Sequence, residues 1–361
     1  MNRSDVVSAR LNNQKLSSSR FDNAADVVRW FGAVQAQDYN AAKWALALRM
    51  RKATNNLIEE AFDLGEILRT HVMRPTWHFV APEDIRWLLQ LTAPRVNMRS
   101  GPNYRKFELD AAVFKRSHSV LTKALQGGKH LTRSALKSAL NRAGIDANDT
   151  VRLAHILLRA ELDAVVCSGP RIGKQFTYAL LEERVPAARI LERDEALAEI
   201  ARRYLRSHGP ATLQDFVWWS GLTVEDATRG ISQVERELEK EVMDERIYRG
   251  PRFSGTKSEY AAHLLPVFDE YFVAYKDRQM AFDGEPSLST FELLGPTFII
   301  NGTVGGTWKR IAGNDSLTIE LNPSRALLKS EKVAVADAVE RYAGFMGVQI
   351  GSYFGDISRR R

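Results

Sequence analysis

Cysteine is almost absent from this chain of 361 residues, in which Cys167 is the single one. One cysteine cannot form an internal disulfide, and it excludes zinc-finger spacing and the cysteine-ligated zinc of nucleobase deaminases. A lone cysteine is typical of a reducing compartment, so we expect a cytoplasmic protein.

Long apolar runs are also absent. No window approaches the roughly 18 consecutive apolar residues that a membrane helix needs. The first residues lack the apolar core of a signal peptide and have the pattern of a polar, arginine-containing helix. We therefore expect no contact with a membrane.

Motifs of several enzyme classes are missing. The run Gly169–Lys174 is one residue short of a Walker A loop and lacks its Ser or Thr, so we interpret it as the basic tip of a hairpin. No Gly-x-Ser-x-Gly elbow occurs. His71 and His78 are close enough in sequence to be metal ligands, but a hairpin face that contacts backbone or phosphate is the favoured interpretation. We expect neither a metal nor a cofactor.

Low-complexity tracts and long Gly/Ser linkers do not occur either, so the two to three domains that this length suggests should pack closely together. The formal net charge of +7 is typical of a protein that binds a polyanion such as DNA. Many basic proteins bind nothing acidic, so the position of the charge has to decide.

A recurring unit fills most of the chain, and residues 101–190 show it best. A helix ends at Gly127-Gly128, Thr132 caps a second helix that Gly144 closes, and a third helix directs Val151, Ala154 and Leu158 inward. A short strand at 164–167 and a returning strand at 175–178 follow. Three helices and a hairpin make the winged-helix plan.

The same plan recurs on both sides of this unit. In residues 191–257, Thr212 and Thr223 are predicted caps, and one strand is expected from Val242 to Tyr248. In residues 1–100, Asp22 or Asn23 begins a helix, and strands at 67–73 and 77–81 join at Arg74-Pro75. Three such units in series favour tandem winged-helix domains.

Residues 258–361 have a different composition, with more aromatic, β-branched and turn residues. Asn301-Gly302 between two apolar runs is a strong hairpin signal, and strands at 309–312 and 317–321 extend the sheet. An amphipathic helix at 330–346 precedes the basic tail Arg359–Arg361. The predicted fold class is therefore α+β, with tandem winged-helix units and a C-terminal antiparallel β-barrel-like domain.

The string Gly32–Tyr39 (GAVQAQDY) lies at the turn of the first helix-turn-helix. Gln35 and Gln37 are two residues apart, so an extended backbone would place their side chains on one side. Taken alone, the motif is more typical of a polar turn. Asp38 beside it is either an ionised supporting group or, as we favour, the N-cap of the next helix.

Five segments together carry a family resemblance. The chain resembles the AlkZ-type (YcaQ-like) DNA glycosylases in segments that span nearly its whole length and follow the family's order: Gln35–Gln37, Arg69–His78, Cys167–Tyr178, Leu264–Tyr271 and Gly302–Trp308.

This resemblance implies three winged-helix units and a β-barrel around a DNA-sized concavity. It also implies a monofunctional glycosylase of base excision repair that removes N7-alkylated purines, including bulky adducts and some interstrand crosslinks. The family's catalytic motif is Gln, an apolar residue, then Gln or Asp, so the catalytic roles transfer to Gln35 and Gln37. We expect Gln37 to position water, Gln35 to orient it or touch DNA, and Asp38 and His78 to support them.

Basic and polar residues on the hairpins are the predicted contacts to double-stranded DNA, namely Arg69, Arg74, Thr76, Arg171, Lys174 and Lys309. Trp77 either lines the lesion side or belongs to the core. No dimerisation segment is evident, so we expect a monomer associated with the nucleoid. Two alternatives stay open: a winged-helix transcription regulator without catalysis, and a family member that has lost its activity.

Overall fold

A computed structural model describes residues 2–17, 21–251, 261–284, 288–312 and 317–352. The residues between the strands predicted at 309–312 and 317–321 and the basic tail Arg359–Arg361 lie outside these ranges. None of the helices within them combines the length and the apolar content that a bilayer crossing requires.

The first part of the chain folds into helices around a three-stranded sheet of order β1-β3-β2. Its elements are α1 Arg3–Asn13, α2 Ala24–Phe31, β1 Val34–Gln35, α3 Tyr39–Ala47, α4 Asn55–Leu64, β2 Leu68–Val72, β3 Arg74–Val80 and α5 Ile85–Lys106. Asn23 caps α2, one of the two caps expected. The predicted turn at Arg74-Pro75 is wrong, because Met73 with φ +63° reverses the chain and both residues lie in β3.

The second part has the order helix, short strand, two helices and hairpin. Its elements are α6 Ala111–Leu125, β4 Leu131–Thr132, α7 Arg133–Arg142, α8 Thr150–Leu162, β5 Val166–Ile172, β6 Gln175–Leu180 and α9 Leu181–Arg184. The cap at Thr132 and the left-handed Gly144 (φ +71°) are confirmed. The inward position of Val151 is wrong: its side chain is 47% exposed, and Leu153, Ile156 and Leu157 face the core instead.

The third part repeats that order. Its elements are α10 Arg193–His208, α11 Leu213–Ser220, α12 Val224–Val234, β7 Glu239–Met243 and β8 Arg246–Gly250. Thr212 and Thr223 cap α11 and α12 as predicted. The single strand predicted from Val242 to Tyr248 is wrong, because Asp244 and Glu245 have positive φ and turn the chain into a hairpin.

The three parts therefore share one succession of elements: a helix, a short extended stretch, two helices and a hairpin. In the third part, an isolated bridge between Ala211 and Arg249 takes the place of the short strands β1 and β4. The winged-helix assignment and the boundaries at 100, 190 and 257 agree with this succession and stay predictions.

The last part contains β9 Ala262–Leu265, α13 Glu270–Val273, α14 Thr290–Leu293, β10 Thr297–Ile300, β11 Thr303–Ala312, β12 Leu317–Pro323, α15 Lys329–Met346 and β13 Ile350–Ser352. The hairpin at Asn301-Gly302 is confirmed, with φ of +49° and +82°.

The sheet of the last part has the order β13-β12-β11-β10-β9. Over the described residues it is open, with β13 and β9 at its edges, so the barrel closure we expected is not found there. One pair, β12 with β13, is parallel, which corrects the expectation of a wholly antiparallel sheet. Helix α15 packs against the sheet and buries apolar side chains that would be buried inside a closed barrel.

One apolar cluster joins the beginning and the end of the chain. Trp44 of α3 packs edge-on against Tyr342 of α15, and its indole N–H donates to the Leu264 carbonyl at 2.6 Å. The buried Arg49, which follows α3, makes two 2.9 Å hydrogen bonds to the carboxylate of Asp269 in the last part. The first and last parts are therefore held in one core.

Candidate active site

The Gln35–Gln37 motif lies on the edge of the first sheet. Gly32, in the left-handed region at φ +82°, ends α2 and directs the chain into β1. There Gln35 pairs with His78 of β3, and the Ala36 N–H donates to the Trp77 carbonyl at 2.8 Å. The string Gly32–Tyr39, predicted to lie at a turn, therefore contains a short strand that includes Gln35.

A buried carboxylate anchors this strand from behind. Glu270 Oε1 accepts the Gln35 N–H at 2.7 Å, and Oε2 accepts the Trp219 indole N–H at 3.1 Å and faces His208 Nε2 at 3.3 Å. Burial alone would raise the pKa of Glu270, but the hydrogen bonds from His208 and Gln35 outweigh it and lower the pKa. The carboxylate is therefore ionised and joins three parts of the chain at one point.

Sequence reasoning gave Glu270 no role, although it lies in the Leu264–Tyr271 segment that carried the family resemblance. Two adjacent acidic residues, Asp269 and Glu270, within an otherwise apolar segment were the available signal. Its partner Gln35 lies 235 positions away, which a local pattern cannot reveal.

His78 lies behind the motif and is completely buried. Its Nδ1 lies 2.9 Å from the Thr76 carbonyl oxygen, and burial, followed by the charge of Arg74, lowers the pKa of the ring to about 3. The ring is therefore neutral at neutral pH and has no surface through which to touch DNA directly.

The two histidines considered as metal ligands lie on opposite faces of the hairpin. His71 stands opposite Trp77 and His78 opposite Thr70, and cross-strand partners share a face. His71 instead contacts Glu161, with Nδ1 at 2.5 Å from Oε2. The pair therefore has no common position for an ion.

Gln37, unlike Gln35, has an exposed side chain. Its Oε1 accepts the Trp77 N–H at 3.2 Å, which holds the amide against β3. A carbonyl oxygen has two acceptor positions, so one stays available to water or a ligand. The Gln37 side chain therefore provides a hydrogen-bond acceptor that is accessible, oriented and uncharged.

Arg69 of β2 fixes the main chain of the motif. Its Nε donates to the Ala36 carbonyl at 2.9 Å and its Nη2 to the Gln37 carbonyl at 3.2 Å. The guanidinium also lies over the rings of Trp77 and Phe176, at 4.3 and 4.8 Å from their centroids. Burial lowers the pKa of Arg69 to about 10, so the group stays charged at neutral pH.

Asp38 is the N-cap of α3, as the favoured interpretation predicted. Its carboxylate accepts the Ala41 N–H at 2.9 Å, while the side chain remains exposed beside Gln37.

A cavity of about 340 Å³ opens on the far side of Arg69. We call it the Arg69 pocket, and its lining includes Arg69, Trp77, Arg133, Lys174, Phe176 and Tyr178. Because Arg69 and Trp77 also hydrogen-bond to the motif, the pocket and the two glutamines share a wall.

The remaining predicted DNA contacts have different environments. Lys174 is exposed at the β5–β6 turn, and Lys309 is exposed on β11 opposite Glu320. Arg171 is instead mostly buried, with Nη1 at 2.6 Å from a carboxylate oxygen of Glu59.

Arg74 and Thr76 of β3 are partly exposed. Arg74 Nη1 donates to the Trp218 carbonyl at 3.4 Å. The Nε and Nη2 atoms of Arg74 and the hydroxyl of Thr76 are buried and have no hydrogen-bond partner among the described residues. Among these residues, Lys174 and Lys309 present their charges most openly.

Known proteins resemble this chain over most of its length. Residues 28–345 match the model of a family described as DNA glycosylase AlkZ-like, which confirms the family inferred from the sequence. An interstrand DNA cross-link repair glycosylase of Streptomyces sahachiroi is 28% identical over 227 residues, and the match spans 60% of this chain and 60% of that protein's length. The solved structure of Streptomyces sahachiroi DNA glycosylase AlkZ has the same fold, with a TM-score of 0.80, 22% identity and coverage of 98% of this chain and 100% of that one.

Proposed function

Because the chain belongs to the AlkZ-like DNA glycosylase family, we propose that it is a monofunctional DNA glycosylase that hydrolyses the N-glycosidic bond of N7-alkylated purines. The Streptomyces relative is named for cross-link repair, so bulky adducts and interstrand crosslinks are included among the proposed substrates. The enzyme would act in base excision repair, as a monomer on double-stranded DNA in the cytoplasm.

The proposed chemistry makes few demands on acid catalysis. Alkylation at N7 gives the purine a positive charge, so the electrons of the C1′–N9 bond move to the base as it leaves, and the base departs neutral. The sugar then carries positive charge as an oxocarbenium-like species. A water oxygen bonds to C1′ and its proton passes to solvent. The protein has to position that water and stabilise the developing charge.

The exposed amide of Gln37 is the observation that carries the proposal. Its Oε1 is held by the Trp77 N–H at 3.2 Å and keeps a second acceptor position for the attacking water. The same oxygen dipole favours positive charge at C1′. Gln37 is therefore assigned the water-positioning role.

Gln35 acts as the orienting residue in this proposal. Gln35 is only 7% exposed, and its Oε1 accepts the Ala36 N–H at 3.0 Å. With the main-chain N–H fixed by Glu270, Gln35 sets the direction in which Gln37 leaves the strand. His78, opposite Gln35, supports that strand from within the core.

Asp38 is proposed to act through its N-cap bond to Ala41 and not through its charge. Asp38→Asn keeps the capping oxygen and removes the charge, whereas Asp38→Ala removes both. We expect Asp38→Asn to retain base release and stability, and Asp38→Ala to lose about 1 kcal/mol of unfolding free energy. Loss of release in a stable Asp38→Asn variant would assign the carboxylate a direct electrostatic role.

Binding to the duplex is proposed to come from cationic and polar side chains around the motif. Lys174 and Lys309 are exposed and suited to phosphate contact, and the partly exposed Arg74 and Thr76 lie on the strand beside Gln37. Arg171 is assigned a supporting role, because Glu59 already pairs with its charge. Phosphate contacts strengthen binding without selecting a sequence, which suits a repair enzyme.

Base release from a duplex that carries N7-methylguanine tests the proposal. The wild type should release the base above the spontaneous rate, and Gln37→Ala and Gln35→Ala should release it at least about 100-fold more slowly at equal DNA affinity. Gln37→Asp keeps an acceptor oxygen and should retain part of the rate. Gln90→Ala, an exposed glutamine on α5, is the matched control and should behave as wild type.

Two results would overturn the proposal. Tight binding to one undamaged sequence without base release would establish the regulator instead. Full release by both alanine variants would move the active site away from Gln35 and Gln37.

A further inference from the structure

The Arg69 pocket has a one-sided charge. Arg69, Arg133 and Lys174 line it, and within the described part of the chain no aspartate or glutamate does. Arg133 Nη2 donates to the Thr150 carbonyl at 2.6 Å, so its head group is held by the first residue of α8. A cavity bounded by three cations attracts an anion and repels a cation.

The charge of Arg69 is not neutralised by its surroundings. Its hydrogen bonds go to two main-chain carbonyls, and Glu161 and Asp38 act on it only at a distance among the described residues. A buried cation without a paired anion is costly, and an incoming anion would recover part of that cost. The lowered pKa of Arg69, to about 10, results first from burial.

The backbone adds a second favourable contribution. Arg133 and Ser134 are the first two residues of α7 and both line the pocket. The first N–H groups of a helix have no acceptor within the helix, and the helix dipole favours negative charge at that end. Side chains and main chain therefore favour the same kind of ligand.

We propose that the Arg69 pocket binds a backbone phosphate of the lesion-containing strand and does not receive the alkylated base. The inference rests on the proposed function, because an N7-alkylated purine is itself a cation that this pocket would repel. A phosphate seated here would meet Arg69 directly, while Trp77 and Phe176 would contact the attached sugar.

The position of the pocket gives this phosphate a further effect. Arg69 holds the carbonyls of Ala36 and Gln37 with Nε and Nη2. A phosphate bound to the same guanidinium would fix the position of the DNA strand relative to the motif. The pocket would thereby place C1′ of the damaged nucleotide relative to Gln37.

A scan with methylphosphonates tests this inference by binding alone. Duplexes that carry a tetrahydrofuran abasic analogue receive one uncharged methylphosphonate at each position around the lesion in turn. Wild-type binding should weaken about tenfold at one particular position, as expected for loss of one charge-assisted hydrogen-bonded contact.

Variants then assign that position to the pocket. The double variant Arg133→Gln/Lys174→Gln should bind more weakly overall and should no longer respond to the methylphosphonate there. Both side chains are exposed, so the fold should be retained. Arg142→Gln, at the other end of α7, is the matched control and should keep the wild-type response.

The inference is overturned if no single position is sensitive, or if the double variant keeps the wild-type pattern. Base release from the unmodified N7-methylguanine duplex is measured beside it. Base release without a sensitive phosphate position would reject phosphate binding in the pocket and keep the glycosylase proposal. A sensitive phosphate position that depends on Arg133 and Lys174, without base release, would keep phosphate binding in the pocket and reject the glycosylase proposal.

Discussion

Arg69 illustrates how much one side chain does at this site. Its planar guanidinium donates to two carbonyls of the motif and also packs between aromatic rings. Lysine keeps the charge but has neither the fork of donors nor the flat surface.

We therefore expect Arg69→Lys to slow base release about 10- to 100-fold, because a small displacement of a positioned group is enough for such a loss. The measurement is single-turnover release at saturating enzyme, with urea unfolding to show that stability is retained. Arg142→Lys, remote on α7, serves as the control. An unchanged rate would mean that the carbonyl contacts of Arg69 are dispensable.

His78 gives stability a pH dependence of known sign. Burial lowers its pKa from 6.5 to about 3. Between these values the unfolded chain binds a proton that the folded protein does not. The free energy of unfolding therefore falls as the pH drops, by about 1.4 kcal/mol per pH unit from this residue.

His78→Asn should remove that contribution while keeping a donor for the Thr76 carbonyl. In urea titrations between about pH 6 and pH 4, its unfolding free energy should decline less steeply than that of the wild type, by this same slope. His208, whose pKa burial also lowers, is present in both proteins and cancels in the comparison. Parallel curves would show that His78 is already solvated in the native state.

At the scale of the elements, the end of α11 lies directly against the turn of the β2–β3 hairpin, whose strand β3 pairs with the strand of the motif. Gly221 has φ +69°, and a Cβ on it would lie 2.3 Å from the Met73 carbonyl oxygen. Gly127 has φ +81° but open space around the same position. The two glycines thus share a backbone conformation and differ in contact.

Gly127→Ala should cost about 1 kcal/mol, the strain of a left-handed residue, whereas Gly221→Ala should cost a further 1–3 kcal/mol from the clash. Chemical denaturation of both variants measures the difference. Equal losses would mean that the β2–β3 hairpin moves freely away from α11.

Helix ends were predictable from the sequence because their causes are local. Thr132, Thr212 and Thr223 each cap a helix through a bond to an N–H three residues ahead, and Asp38 does the same. The Asn301-Gly302 turn is equally local, since its two positive φ values suit those residues.

Long-range features were not predictable. Nothing near Gln35 indicates that Glu270 will accept its N–H, or that Glu59 will take the charge of Arg171. The position of Val151 in α8 was also missed, because this apolar residue faces solvent at the start of the helix, whereas Leu158 is buried as predicted. The exposed Gln37 was found because a family motif, and not a local pattern, identified it.

At the scale of the whole molecule, two apolar clusters of the described residues cross the boundaries predicted at 100, 190 and 257. One cluster combines residues of the first and last parts, and a second includes Trp87, Leu162, Trp219 and Tyr275. A third cluster, with buried members from Tyr104 to Leu180, lies within the second part. That part is still tied to its neighbours, because Leu158 and Leu162 of α8 belong to the second cluster.

We therefore expect a single cooperative unfolding transition, with tryptophan fluorescence and circular dichroism changing together. Asp269→Asn, which breaks the buried pair with Arg49, should lower that transition by about 3–5 kcal/mol without splitting it. Arg51→Gln, which breaks the exposed pair with Asp22, is the control and should leave the transition almost unchanged, because solvent screens an exposed pair. Separate transitions for the two probes would contradict a shared core.

The bond between Gln35 and Glu270 also sets an order of events during synthesis. A ribosome makes the glutamine 235 residues before the glutamate that holds it, which at about 5–20 residues per second is a delay of roughly ten to fifty seconds. During that interval the nascent chain carries both glutamines without the carboxylate that anchors their strand. The motif therefore reaches its final form only after residue 270 has been made, and a message cut short before that residue encodes the glutamines but not their anchor.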